Sequence, residues 1–231
     1  MVKIILKMKT KKTILLTTTV RINENLHWLF QRDKNHRLEI YLKSIKQWLD
    51  KTDLNICVVE NSGYTFPELD DYKEKYRDRF EILGYDENTY DETKHLKDSV
   101  SKGQCELYAL NYAYNNSRLI TESFFIIKIT GRYFIPELEK YLSNVDLSKY
   151  DTMQQNNNAR CELVGVSDYY FKTIFDTKMS YPNGGAFMPH MESFMCFQIG
   201  MCILNKRKLT CPLFEIEETL GGGKNEPFTN I

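Results

Sequence analysis

The chain has 231 residues, enough for one sizeable hydrophobic core and an ordinary length for a single α/β domain. Its 31 Lys and Arg balance its 31 Asp and Glu, so no global field draws it to nucleic acid or an anionic membrane, and any partner has to be read from local sites. Six cysteines (Cys57, Cys105, Cys161, Cys196, Cys202, Cys211) show no CxxC spacing, which argues against a disulfide framework or a zinc ribbon and for a reducing, cytoplasmic compartment.

The first residues mix lysines with short apolar runs too broken for a transmembrane helix, and no later segment spans a membrane. Residues 13–20 (TILLTTTV) are apolar and β-branched, as in a strand buried on both faces. Leu38, Tyr41, Leu42, Ile45, Trp48 and Leu49 recur at three and four and predict an amphipathic helix over 38–49. Residues 54–59 (LNICVV) repeat the buried-strand pattern and stop at the turn cluster Glu60-Asn61-Ser62-Gly63. Strand, helix, strand makes a βαβ unit with a right-handed crossover.

A charged helical stretch over 67–79 leads to a third strand near 80–83, and 86–97 reads as a polar loop. A helix is expected over 103–115, opened by Ser101-Lys102-Gly103. Residues 123–129 (SFFIIKI) are the most apolar strand candidate and are expected to be central, ending in Thr130-Gly131-Arg132-Tyr133. Beyond Pro136 the pattern predicts a short helix over 137–142, a polar loop over 151–159, a strand over 161–166, a short helix over 169–175 and an apolar core helix over 192–204. A Gly221-Gly222-Gly223 hinge and a mobile end are expected after that.

Ligands of an open α/β sheet bind beyond the carboxyl ends of its strands. Three predicted strand ends carry polar groups there: Thr17 to Arg21, Glu60 to Gly63 and Lys128 to Tyr133. Thr18 and Arg21 are placed to bond a base or a phosphate. Lys102 ahead of a helix brings a cation and a helix N-terminus toward an anion. Pro189-His190-Met191-Glu192 offers an imidazole and a carboxylate where the chain enters the apolar helix, the residue types that take a proton from a hydroxyl.

The order ILLTTTVR, VVENSG, SKGQCELYALNYAYNNS, FFIIKITGRY resembles the nucleotide-binding half of GT-A type glycosyltransferases, particularly small ones from large DNA viruses and bacterial capsule clusters. The resemblance covers roughly residues 13–135 and rests on the order of short motifs. It implies a single-domain α/β, Rossmann-type sandwich with a mostly parallel sheet, 13–135 holding a nucleotide-sugar and 136–231 serving the acceptor. It also implies that Glu60, Asn61 and Ser62 hold the nucleoside. The family's Asp-x-Asp is missing, and its place reads Lys128-Ile129-Thr130-Gly131-Arg132. In such an enzyme Lys128 and Arg132 would supply the positive charge of the metal, with Thr130 beside them and Gly131 admitting the backbone close to the diphosphate. The alternative is that Lys128 pairs with a carboxylate and Arg132 is solvated.

The function so implied is a soluble hexosyl- or pentosyltransferase moving a sugar from a nucleotide-sugar to a glycan, glycoprotein or other hydroxyl acceptor. It would act in the cytoplasm, the host's if the chain is viral. Glu192 or His190 would be the base, and Asp168 an acceptor contact or a helix cap. No cofactor and no metal ligands are expected, while dependence on Mn²⁺ or Mg²⁺ stays open. Oligomeric state is not readable. A non-catalytic glycan- or protein-binding module on the same sheet and a sugar nucleotidyltransferase are the rival readings.

Overall fold

The structure is a computed structural model and describes residues 9–24, 26, 29–98, 101–156, 160–179, 190–203, 207–221 and 226–231. In chain order it forms β1 (Lys11–Thr18), α1 (Lys34–Lys51), β2 (Asn55–Glu60), α2 (Asp70–Lys75), β3 (Phe80–Gly84), α3 (Lys102–Asn116), α4 (Arg118–Thr121) and β4 (Ser123–Thr130). There follow α5 (Leu138–Ser143), β5 (Thr152–Gln155), β6 (Leu163–Ser167), α6 (Phe171–Ile174), α7 (Met191–Ile203), β7 (Lys208–Cys211), β8 (Glu215–Leu220) and β9 (Pro227–Asn230). Among the described residues no helix is long and apolar enough to cross a membrane.

Seven strands make one sheet in the order β3-β2-β1-β4-β6-β5-β7, and β8 pairs with β9 apart from it. The pairs β3-β2, β2-β1, β1-β4 and β5-β7 are parallel, while β6 runs antiparallel to both neighbours. The fold is therefore the expected α/β sandwich with a mostly parallel sheet, and β4 is its central strand. The apolar runs of β1 and β4 follow from that position, because both faces of each are covered.

On one face Tyr41, Ile45 and Trp48 of α1 pack with Ile14, Leu16, Val58 and Ile127. On the other, Leu107 and Leu110 of α3 and Phe194 of α7 pack with Leu15, Val59 and Ile126. The two faces follow from handedness. The chain steps from β1 to β2 through α1, then returns past β1 to β4 through α3, and right-handed crossovers in opposite directions lie on opposite sides. Between β1 and β4 the winding reverses, and at such a switch point the loops part and leave a crevice beyond the carboxyl ends.

Ser101 caps α3 where the sequence places that helix's onset, accepting from the backbone of Gln104, while α1 begins a turn earlier than its apolar period shows, with Asp33 accepting from the backbone of His36. Two expectations are corrected. Residues 152–155 are a strand rather than part of a polar loop; Thr152, Met153, Gln154 and Gln155 are all buried between β6 and β7, where ladder bonds outweigh side-chain polarity. The chain end is not loose, since β9 pairs with β8 and Ile231 is fully buried, its backbone bonded in both directions to Phe214. Gly221 is described and Gly222 and Gly223 lie outside the described residues.

Candidate functional site at the switch point

Three loops meet at the carboxyl edge, and one buried carboxylate organises two of them. Glu60 is fully buried. Its Oε1 accepts from the Val20 amide at 2.8 Å and from the Ser62 hydroxyl; its Oε2 accepts from the amides of Ser62 and Tyr64, both at 2.8 Å. Burial raises its pKa against the lowering effect of these donors. With its lone pairs so engaged, Glu60 ties the end of β1 to the turn after β2. Ser62 repeats the tie, its hydroxyl accepting from the Arg21 amide at 2.9 Å. Gly63 makes the turn with a φ of 74°.

From β1 a chain of side chains runs across the edge. Thr19 donates to Asn61 Oδ1, and Asn61 Nδ2 donates to Glu87 Oε2, both at 2.5 Å. Thr18 donates to the Val59 carbonyl at 3.1 Å, a bond within the sheet. Arg21 is exposed, its guanidinium 5.9 Å from the centre of the Tyr64 ring, and the Lys34 ammonium lies 5.7 Å from that same ring. A cleft of about 350 Å³ opens alongside, lined by Gly63, Tyr64, Thr65, Lys73, Ile82 and Tyr85 among others.

At β4 the two predicted cations behave differently. Lys128 is 1% exposed; its ammonium lies 2.9 Å from Glu106 Oε1 on α3 and donates to the Cys161 carbonyl at 2.7 Å and to Thr130 Oγ1 at 3.3 Å. Glu106 Oε1 also accepts from Thr17 at 2.7 Å. Burial opposes both charges, but Glu106 and Lys128 hold each other ionised, so the carboxyl lies below and the ammonium above its ordinary pKa. Lys128 thus has the carboxylate partner that the sequence left as the alternative.

Arg132 has no such partner. Among the described residues no carboxylate lies within 4 Å of it, and its buried Nε has no hydrogen-bond partner. Close by is Arg37, unnoticed in the sequence because it falls on the core-facing stripe of α1. It is 4% exposed and, among the described residues, bonds to the carbonyls of Thr19 and Gln31 and the hydroxyl of Tyr41. Among the described residues neither guanidinium makes an ion pair, although Glu60 lies within electrostatic reach of Arg37 and Glu106 within that of Arg132. Gly131 sets Arg132 there: a Cβ at Gly131 would stand 2.6 Å from Thr18 Cγ2 and 2.7 Å from the Thr17 carbonyl oxygen, and the Gly131 amide donates to that oxygen at 2.9 Å.

Lys102 is exposed at the first turn of α3. Gly103 beside it packs against Met191, which brings the start of α7 to this edge. Glu192 is half-buried there and, with Glu106 and Glu162, helps push the buried Cys161 thiol well above its usual pKa, burial being the larger cause. His190 is exposed, and its carbonyl caps α7 by accepting from the Phe194 amide at 3.0 Å. Asp168 is carried to the other edge. It follows β6, whose antiparallel run ends beside the start of β4, and it pairs with Lys9 at 2.8 Å and accepts from the Tyr114 hydroxyl at 3.0 Å.

Among the described residues no three His, Cys, Asp or Glu side chains stand together as metal ligands, and the end of β4 presents cations instead.

No protein-family model and no curated protein sequence matches the chain. Among solved structures it is similar to a protein from Desulfovibrio desulfuricans G20 provisionally named a nucleotide-diphospho-sugar transferase (TM-score 0.48, 14% identity, 87% of this chain and 79% of that one). It is similar also to the galactosyltransferase LgtC in complex with donor and acceptor sugar analogs (TM-score 0.46, 9% identity, 86% and 73%). A third likeness is to S. aureus TarS 1–349 in complex with UDP (TM-score 0.42, 14% identity, 87% and 58%). At these scores and identities the likenesses are distant, and none supplies a function for this chain.

Proposed function

We propose that this protein is a glycosyltransferase that takes a sugar from a nucleotide-sugar lying across the switch point and passes it to a hydroxyl acceptor without a bound metal. The observation that carries the reading is Arg132: a guanidinium with no ion pair among the described residues, at the carboxyl end of the central strand, brought close to β1 by Gly131. Such a group suits a diphosphate, which accepts from guanidinium in parallel pairs and loses less hydration there than at an ammonium.

In this reading Asn61 and Ser62 shape the loop that meets the nucleoside, Glu60 holds that loop, and the ring of Tyr64 with Arg21 faces the base. Lys102 adds charge at the phosphate side. Lys128 acts through Glu106, fixing its Oε1. The acceptor oxygen forms a bond to the anomeric carbon while the bond from that carbon to the diphosphate breaks. The leaving nucleoside diphosphate keeps the electron pair beside Arg132, and the hydroxyl proton passes to Glu192 or His190. Stabilising the leaving charge by a fixed cation is the main catalytic contribution of such a site.

The test is a thermal-shift panel of nucleoside diphosphates and nucleotide-sugars, each in EDTA and in Mn²⁺. One nucleotide should stabilise the protein in EDTA by roughly 2–3 kcal/mol at about 100 times its Kd, and Arg132→Gln should abolish the shift. A strict Mn²⁺ requirement overturns the metal-free part, and no response to any donor overturns the reading. The engagement of Lys128 by Glu106 favours one rival, a binding module that keeps the sheet without transfer; it would bind a glycan and no nucleotide.

A further inference from the structure

We infer that Glu87 is a positioning residue of the nucleotide site, and that a nucleotide-sugar binds with Glu87 protonated, so that binding draws a proton into the protein. The coupling rests on the nucleotide-sugar reading of the switch point and adds to it a dependence on pH. Glu87 lies beyond β3, outside the three polar strand ends, yet it holds the loop after β2. Asn61 of that loop is fixed by main chain and side chain alike. Its amide donates to the Thr18 carbonyl at 3.3 Å and its carbonyl accepts from the Glu87 amide at 2.9 Å; its Oδ1 accepts from Thr19 and its Nδ2 donates to Glu87 Oε2, both at 2.5 Å. The Glu87 carbonyl accepts from the Thr93 hydroxyl at 2.9 Å, and the Cys105 thiol on α3 is bonded to its carboxyl group. Glu87 therefore joins the segment after β3 to α3 and, through Asn61, to the end of β1.

The surroundings favour the neutral carboxyl. The side chain is buried and makes no ion pair among the described residues. Of its two side-chain donors, the amide of Asn61 and the thiol of Cys105, the thiol is weak. The titratable groups that face it are all acids: Glu60 from β2, itself fully buried, Tyr85 and Asp86 from the segment after β3, and Cys105 from α3. Burial is the largest cause of the rise in its pKa; the bonds from Cys105 and Asn61 lower it, repulsion from Glu60 and Asp86 adds to it, and the carboxyl is pushed up to about 7.

The diphosphate of a nucleotide-sugar brings further negative charge to this edge. Charge of like sign disfavours the ionised carboxyl, so the bound state holds the Glu87 proton more tightly than the free state. Affinity is then full below about pH 7, where Glu87 is neutral in both states, and falls as pH rises through about 7, where binding has to bring the proton in. The sign follows from the charges alone. A carboxyl that only held the loop by packing would bind the same nucleotide equally on either side of that pH.

Calorimetric titrations of the full chain with UDP-glucose, dTDP-glucose and GDP-mannose test this, run from pH 6 to pH 8 in buffers of different ionisation enthalpy, which count the protons taken up. The diphosphates of these probes keep their charge over that range, so the protein supplies any proton change. The probe that binds should do so at least about threefold more weakly at pH 8 than at pH 6, with about half a proton taken up near pH 7.5. Glu87→Gln, always neutral and still an acceptor for Asn61, should bind with one affinity across the range and take up no proton. If Glu87→Gln does not fold, Cys105→Ser decides the matter: a hydroxyl donates better than a thiol and steadies the ionised carboxylate, so the pH at which affinity falls should move down. Equal wild-type affinity at pH 6 and pH 8, no proton taken up, the wild-type pH dependence in Glu87→Gln, or an unmoved midpoint in Cys105→Ser overturns the proposal and leaves the nucleotide site standing. Failure of all three probes to bind at any pH overturns the nucleotide-sugar reading itself, and this coupling with it.

Discussion

Glu87 and Glu60 show how burial and donors compete at single residues. Both carboxylates are buried at the carboxyl edge, 2% and 0% exposed. Burial is the largest cause of the rise in each pKa, but Glu60 has three amides and a hydroxyl against it, whereas Glu87 has the Cys105 thiol and the Asn61 amide and is pushed to about 7. A folded-state pKa raised from 4.5 to about 7 favours the protonated form on folding. Its contribution is full below about pH 4.5 and fades as pH rises through about 7. The urea midpoint should therefore fall between pH 5 and pH 8 by more in the wild type than in Glu87→Gln, which stays neutral and keeps an acceptor for Asn61. Equal slopes in the two proteins would remove Glu87 as the cause. Glu60 was legible in the sequence from its place at a strand end; Glu87 was not, because it sits in a polar stretch whose side chains give no sign of turning inward.

At the scale of elements, β1, β4 and α3 are joined by more than ladder bonds. The Thr17–Glu106–Lys128 cluster pins α3 across two strands. Removing one member of a buried pair leaves the other charge uncompensated, so Lys128→Met should destabilise by about 3 kcal/mol, the low end of the usual range because Glu106 keeps 22% of its side chain exposed. Adding Glu106→Leu should restore most of that loss in chemical denaturation. A double variant no more stable than the single one would mean that Lys128 acts by packing alone. The strands β1, β2 and β4 and the helices α1 and α3 were readable because their apolar patterns match their burial, while the four-residue α4 is too short to show a period. β5 was not, because TMQQ carries no apolar alternation, and only its place between β6 and β7 makes it a strand.

At the scale of the molecule, the β8–β9 hairpin closes the α1 side of the sandwich. Ile231 is fully buried with Phe214 and Ile216 in the core that α1 covers. Removing residues 226–231 should cost about 2 kcal/mol from the isoleucine alone, read as a lower urea midpoint. Nucleotide stabilisation should persist if the donor lies at the switch point, since no described switch-point hydrogen bond runs through β9. Loss of nucleotide binding along with the hairpin would move the donor toward α1.

The sequence by itself determined the class of fold, the central place of β4, the onset of α3 and the three polar strand ends, because each is a local matter of period, turn chemistry or chain order. Only the tertiary structure decided what those polar residues do. Lys128 and Arg132 are four residues apart and read alike, yet one pairs with Glu106 from a helix more than twenty residues earlier and the other makes no ion pair among the described residues. Arg37 reads as part of a helix face until β4 brings Arg132 beside it, and Asp168 reads as near the site until the antiparallel run of β6 carries it to the far edge. A side chain's charge partner is set by which elements the crossovers bring together, and that is not written in its neighbours along the chain.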